Sequence, residues 1–287
     1  MPFLKVPNAR LYYELFPNTP APQLPLLVLI HGGNGNLDYF RPIAQILEKH
    51  FRVCIYDRRG FSRSALTGPQ DYSTGAARLA TDADDTRALI EHLNKHTADK
   101  ENAQPVQSAT VLGNSSGAIV AIQVLVRHHD VVTALVAHEP PVTTLLPNRE
   151  HWAARQQAVY ELYRRQGHVA AMGEFYKIVH AEGDPGFVPD VSEDPYLAGN
   201  VMYWFEREML GYVHSEFDFD ALEKVKGKLV LVNGKGTHVE TPQYLCNVEL
   251  GKRLGLDVNM FGGGHVAFNV DPELFAAEFR TALDARM

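Results

Sequence analysis

ATVLGNSSGAIVA, residues 109–121, decides how the rest of the chain is read. An apolar run ends in Gly113-Asn114-Ser115-Ser116-Gly117, and apolar residues resume at once through Ile122, Val124 and Leu125. That order predicts a strand, a pinched turn and a buried helix. With 22 glycines in the chain, a G-x-S-x-G string arises by chance in roughly one such sequence in twenty, so the string alone says little. Its setting says more. Glycines at 113 and 117 let helix and strand approach closely, which lifts the hydroxyl of Ser115 onto an exposed, strained corner. The amide of Ser116, at the helix N-terminus, would face a developing oxyanion with the helix dipole behind it. Ser115 is therefore the candidate nucleophile.

Outward from this turn, short β-rich runs recur at 24–30, 51–57, 107–113, 131–139, 227–234 and 255–263. They are almost continuously apolar, as parallel strands buried on both faces must be, and helix-length segments such as 74–96 separate them. The fold class is α/β, a doubly wound sheet. The opening FLKVPNARLYYELF (3–16) alternates around Pro7-Asn8 like a β-hairpin. The rhythm breaks once. From Pro141 to about Leu222 the sequence is helical, with no convincing strand, in REHWAARQQAVYELYRRQGHVAAMGEFYKIVHA (149–181) and LAGNVMYWFEREMLGYV (197–213). Residues 1–140 and 223–287 are thus expected to form the core, and 141–222 a helical cap over the strand ends, where open α/β sheets bind ligands.

Bulk properties narrow the partners. The 287 residues carry a formal charge of −7 and no basic cluster beyond pairs such as Arg58-Arg59, so nucleic acid is excluded as a partner. No apolar run approaches the length of a membrane span, and the N-terminus lacks signal-peptide character, so the cytoplasm is the expected location. Two cysteines, Cys54 and Cys246, argue against a disulfide framework. A small, neutral or apolar molecule is the expected ligand, and a homodimer is left open.

A serine nucleophile needs a base. Of 13 histidines, His265 stands out, in the glycine-rich FGGGHVAF loop after the last predicted strand, from which a side chain can reach the turn at Ser115. His128-His129-Asp130 closes the helix after Ser115 and reads as a solvated helix end rather than a metal site. In LIHGGNGNLDYF (29–40) the backbone N–H of Gly33 is the candidate second oxyanion donor, beside that of Ser116. No phosphate-binding glycine motif is complete, so no cofactor is expected, and with His128-His129-Asp130 read as a helix end no metal is expected either.

HGG after a strand, DRRGFSRS (57–64) after the next, GNSSG, and a late GGGH together resemble the α/β-hydrolase superfamily across nearly the whole chain. The resemblance implies a mostly parallel eight-stranded sheet flanked by helices, a triad in the chain order Ser, acid, His, and a cap inserted before the last two strands. One departure stands out. The superfamily usually carries its acid as Asp after the penultimate strand, and here NGKGTHVETP (233–242) has Thr237 in that place. Glu139, ending VVTALVAHE, is the candidate acid, with Glu240 the alternative. GNSSG followed by HEPP resembles the subgroup that includes fungal zearalenone lactonases, in which a glutamate at this strand end serves as the acid. That subgroup also places a substrate-contacting tryptophan in the cap, which singles out Trp204 from Tyr203, Phe205, Trp152, Phe175 and Tyr176. Asp57 and Arg58 read as structural. The expectation is a capped serine esterase or lactonase; a carbon–carbon bond hydrolase of a diketone and a slow hydrolase serving as a small-molecule receptor are the alternatives.

Overall fold

The computed structural model describes residues 2–19, 21, 23–95, 108–179 and 194–285. The ends of three sequence-predicted elements, at His96, Gln107 and His180–Ala181, lie outside the described residues. Eight strands form one sheet: β1 (Phe3–Val6), β2 (Ala9–Phe16), β3 (Leu26–Ile30), β4 (Arg52–Tyr56), β5 (Ala109–Asn114), β6 (Val132–His138), β7 (Leu229–Gly234) and β8 (Val258–Phe261). Their order is β1-β2-β4-β3-β5-β6-β7-β8. Pairing is parallel from β4 through β8, and β2 runs antiparallel to both β1 and β4. The β1–β2 turn falls at Pro7-Asn8, where Asn8 adopts φ 60°, a left-handed conformation that Asn tolerates better than most residues.

Eleven helices are found among the described residues: α1 (Arg41–Leu47), α2 (Gly75–Lys95), α3 (Ser116–Arg127), α4 (Arg149–Gln166), α5 (His168–Val179), α6 (Leu197–Arg207), α7 (Met209–Val213), α8 (Phe219–Val225), α9 (Pro242–Leu254), α10 (Ala267–Val270) and α11 (Pro272–Asp284). The central strands are buried along their whole length. Because side chains alternate across a strand, Val28 and Ile30 pack with Leu89 of α2 and Ile119 of α3. Leu27 and Leu29 pack on the opposite face with Ile43 of α1 and Phe279 of α11. Helices on both faces explain why these strands read as apolar runs rather than as an alternation.

Local signals set the helix ends. Pro242 opens α9 and Gly255, at φ 63°, closes it; Asp271 caps α11 by accepting from Leu274 N–H. Between β6 and β7 the described residues form α4 to α8 and no strand. Trp152, Val159, Met172, Val201, Trp204 and Phe205 make an apolar cluster of their own there, joined by Phe61 and Cys246. Farther along the segment, Tyr212, Phe217 and Leu222 are buried with the sheet-side core instead. No helix among the described residues is long and apolar enough to cross a membrane.

Candidate active site

Two adjacent strands end in the same unusual way. Ser115 follows β5 with φ 57° and Glu139 follows β6 with φ 52°, a region that costs a non-glycine residue on the order of 1–3 kcal/mol and is held only by its surroundings. For Ser115 the surroundings are two glycines: a Cβ on Gly117 would lie 2.3 Å from the carbonyl oxygen of Ile30, and one on Gly113 2.4 Å from that of Gly117. Backbone bonds tie the strand ends together, with Ser115 N–H donating to His138 O (2.9 Å) and Glu139 N–H to Val232 O (3.1 Å).

His265 reaches Glu139 from the loop between β8 and α10, where Gly263 takes φ 77°. Its Nδ1 lies 2.5 Å from Glu139 Oε2. The other oxygen of Glu139 accepts from Gly234 N–H at 2.8 Å. Glu139 is completely buried. Burial pushes its carboxyl up, but the hydrogen bond from His265 and the neighbouring imidazoles outweigh this and hold it below the usual range. Glu139 therefore starts one strand away from β7 yet presents its carboxylate to the loop that carries Thr237. Thr237 is buried and its hydroxyl has no partner among the described residues. Glu240 is exposed; the structure does not bring it to His265.

Ser115, Ser116, His265, Gly33 and Trp204 line one cavity, with Tyr39, Phe175, Tyr176, Met209 and Phe268 supplying much of its apolar wall. Trp152, Tyr203 and Phe205 do not line it; Trp152 and Phe205 pack within the helical segment, and Tyr203 packs edge-on against Phe61 (5.1 Å) with its hydroxyl 3.1 Å from that of Tyr72. The indole of Trp204 covers Gly33 so closely that a Cβ there would lie 2.2 Å from its Nε1. Phe175 braces the indole edge-on at 4.7 Å. Ser116 N–H is the first amide of α3 and has no acceptor within the helix.

The orientation of Gly33 has a traceable cause. The carbonyl of Gly32 accepts from His31 Nδ1 (2.8 Å) and from Arg58 Nη2 (3.2 Å). His31 Nε2 accepts from Arg58 N–H, so the proton sits on Nδ1, and burial together with the Arg58 charge pushes this imidazole down to about 3. Across a trans peptide the N–H of Gly33 points opposite to the Gly32 carbonyl, away from Arg58. Arg58 is itself fully buried, bonded to Asp82 (3.0 Å) and to both oxygens of Glu208 (2.9 and 2.8 Å). Arg78 bonds Asp82 and Glu208 in turn. Glu208 lines the cavity, and this clamp joins the helical segment to the core. His128 lies beside Asp84 at the surface, and among the described residues no group of three metal-ligating side chains converges.

An imidazole held by a buried carboxylate at Nδ1 keeps Nε2 free to take a proton, and amides at a helix N-terminus can receive negative charge. Sequence reading did not foresee Glu208, whose partners lie about 150 positions away, nor the side-chain bonds of Asn114.

This fold and this arrangement define a class. Residues 25–186, more than half of the chain, match the α/β hydrolase fold family, and the chain belongs to it. Over 285 residues it is 27% identical to an uncharacterized hydrolase, YraK, of Bacillus subtilis (strain 168), covering 98% of this chain and 95% of that protein. Among solved structures it resembles a thermophilic esterase from Thermogutta terrifontis (TM-score 0.71, 19% identity, 97% of this chain and 94% of that one). It also resembles the enol-lactonase from Burkholderia xenovorans LB400 (TM-score 0.62, 19% identity, 99% and 100%).

Proposed function

We propose that this hydrolase is a serine enzyme that cleaves a carboxylic ester or lactone of a small, largely apolar molecule through an acyl-enzyme. Ser115 attacks the carbonyl carbon while His265 takes its proton at Nε2. Glu139 fixes the imidazole tautomer and balances its charge once protonated. The amides of Gly33 and Ser116 receive the oxyanion. His265 then returns the proton to the leaving alkoxide and activates water to release the acid. Residues 141–222 serve as the cap, and Trp204 contacts the substrate from it.

The observation that carries this reading is the 2.5 Å contact between His265 and the fully buried Glu139, at the edge of an apolar cavity that also holds Ser115 on its strained turn. A buried carboxylate facing an imidazole stabilises the imidazolium that general-base catalysis creates. The HEPP segment at the end of β6, like that of the zearalenone lactonases, favours lactones among the esters. The esterase and enol-lactonase likenesses, at 19% identity, speak for the fold, so the chemistry rests on the site.

The test is a panel of p-nitrophenyl esters, aromatic lactones and β-diketones, together with a serine-directed organophosphonate. Ester or lactone turnover and labelling at Ser115 alone are expected, and both should vanish in Ser115→Ala while the circular dichroism spectrum is kept. Labelling elsewhere, or near-normal turnover by Ser115→Ala, would move the nucleophile. Turnover confined to the diketones would replace ester cleavage with carbon–carbon bond hydrolysis.

A further inference from the structure

The residue before Ser115 has a side chain that the mechanism above does not use. Asn114 is the last residue of β5 and pairs in register with His138, the last of β6. Two matching dipeptides, Asn114-Ser115 and His138-Glu139, therefore lie side by side at the strand ends. Asn114 is almost fully buried, and its Nδ2 lies 2.9 Å from the backbone carbonyl of His265 and 3.0 Å from Nδ1 of His138.

These contacts fix their own proton assignment. A carbonyl oxygen can only accept, so the atom facing His265 O is the NH2 nitrogen. Its second hydrogen then points to His138 Nδ1, which must offer a lone pair. The proton of His138 sits on Nε2, which has no nitrogen or oxygen partner among the described residues and lies among aromatic rings, with Phe275 edge-on at 5.3 Å. Burial drives the His138 imidazole down to about 4, which keeps that lone pair available at neutral pH.

We propose that Asn114 is a positioning residue: its amide ties the backbone of His265 to the ends of β5 and β6, so that nucleophile, acid and base keep a common height. The inference rests on the reading of Ser115 and His265 as nucleophile and base. The loop that carries His265 includes Gly262, Gly263 and Gly264, a stretch with little stiffness of its own. Glu139 holds the imidazole from its ring end, and Asn114 holds the same residue from its backbone. Gly236 N–H holds the loop at Gly263 O (2.8 Å) and Glu278 accepts from Gly262 N–H, both short of His265. Asn114 is therefore the side chain that fixes the His265 carbonyl itself. Without it the imidazole can swing about its bond to Glu139, and misplacement on the scale of an ångström costs on the order of 10²-fold in rate.

Asn114→Leu keeps the volume and removes the donors. Two readouts apply to protein that circular dichroism shows to be folded. One is the maximal rate of organophosphonate labelling at Ser115, separated from the concentration at half-maximal rate. The other is the downfield proton resonance of the His265 Nδ1–H bond to Glu139, assigned by its loss in His265→Gln. The expected result is a fall of about 10- to 100-fold in maximal labelling rate with less than about threefold change in half-saturation, and an upfield shift or exchange broadening of the resonance. An unchanged rate and resonance in folded Asn114→Leu would overturn the proposal. If that variant does not fold, Asn114→Ser, which supplies one donor for two acceptors, takes its place with the same two readouts. A wild-type protein that is never labelled at Ser115 would refute the serine-nucleophile reading instead, while the resonance would still report whether Asn114 holds His265.

Discussion

Two buried glutamates, Glu139 behind the His265 that lines the cavity and Glu208 in the cavity wall itself, have opposite surroundings. Glu139 faces the imidazole of His265, a group with both a neutral and a charged form. Glu208 faces the guanidiniums of Arg58 and Arg78, which never lose theirs. Burial and the nearby Asp82 charge push the carboxyl of Glu208 up against the pull of Arg58. Asp82, equally buried, is held down by Arg78 and Arg58. Two guanidiniums and two carboxylates leave the clamp neutral, so its charge is balanced at rest. The pair at Glu139 is balanced only when His265 is protonated. A fixed counter-ion suits a structural tie, and a partner with two protonation forms suits proton transfer.

The largest effect should come from the first of these glutamates. Glu139→Gln preserves shape but offers His265 the wrong hydrogen-bonding group and no charge. The analogous change in serine proteases, a worked example of the triad principle, costs about 10⁴ in kcat. A loss on the order of 10²–10⁴ is expected here, measured as turnover of the best ester. Glu240→Gln, altering an exposed residue, should cost less than about tenfold. The reverse ranking would place the acid in the loop after β7 and dissolve the contrast drawn above.

Glu208→Gln tests the other side. Removing one charge leaves Arg58 and Arg78 facing only Asp82, and breaking a buried ion pair costs about 3–5 kcal/mol. Urea unfolding should show that loss, while labelling of Ser115 in the folded variant changes by less than about tenfold, because Asp82 still holds Arg58. A loss of activity as deep as that of Glu139→Gln, without loss of stability, would make Glu208 part of the chemistry.

The two glutamates also differ in how far sequence could reach them. Glu139 ends an apolar run next to Pro140-Pro141, so its place at a strand end was legible from hydrophobic patterning, and the parallel register of β5 and β6 then brings it level with Ser115. The strands themselves were legible for the same reason, each starting one to three residues later in the structure than its apolar run. His265 was legible from its glycine loop. Glu208 sits among helical charges, FEREML, that look solvated from sequence, and its partners at 58, 78 and 82 are set by tertiary packing alone. Only Arg78 and Asp82, four apart on α2, could have been paired in advance. The aromatic residues of 141–222 show the same limit: helical spacing could not separate Trp204, on the cavity, from Phe205, one position on and packed inward.

Two buried histidines carry the contrast into acid stability. His31 sits beside Arg58 and His138 beside Glu139, and both are fully buried. Burial lowers both imidazoles; the guanidinium pushes His31 further down, to about 3, whereas the Glu139 charge pulls back on His138, which stops at about 4. Each is depressed below the ordinary value of 6.5, so between those limits the unfolded chain binds more protons than the folded one. The contribution of these two histidines to stability must therefore fall as pH drops, while Asp85, whose carboxyl burial raises to about 6, acts in the opposite direction. From pH 7.5 to pH 5 each histidine should cost about 2 kcal/mol, from roughly 1.5 pH units at 1.36 kcal/mol each. Urea unfolding at the two pH values should show a deficit of this size per histidine, and His138→Gln should recover about half of the pair's share. A change between pH 7.5 and pH 5 that is the same in His138→Gln as in the wild type would show that the His138 imidazole is charged in the folded protein. It would also remove the lone pair through which His138 holds Asn114.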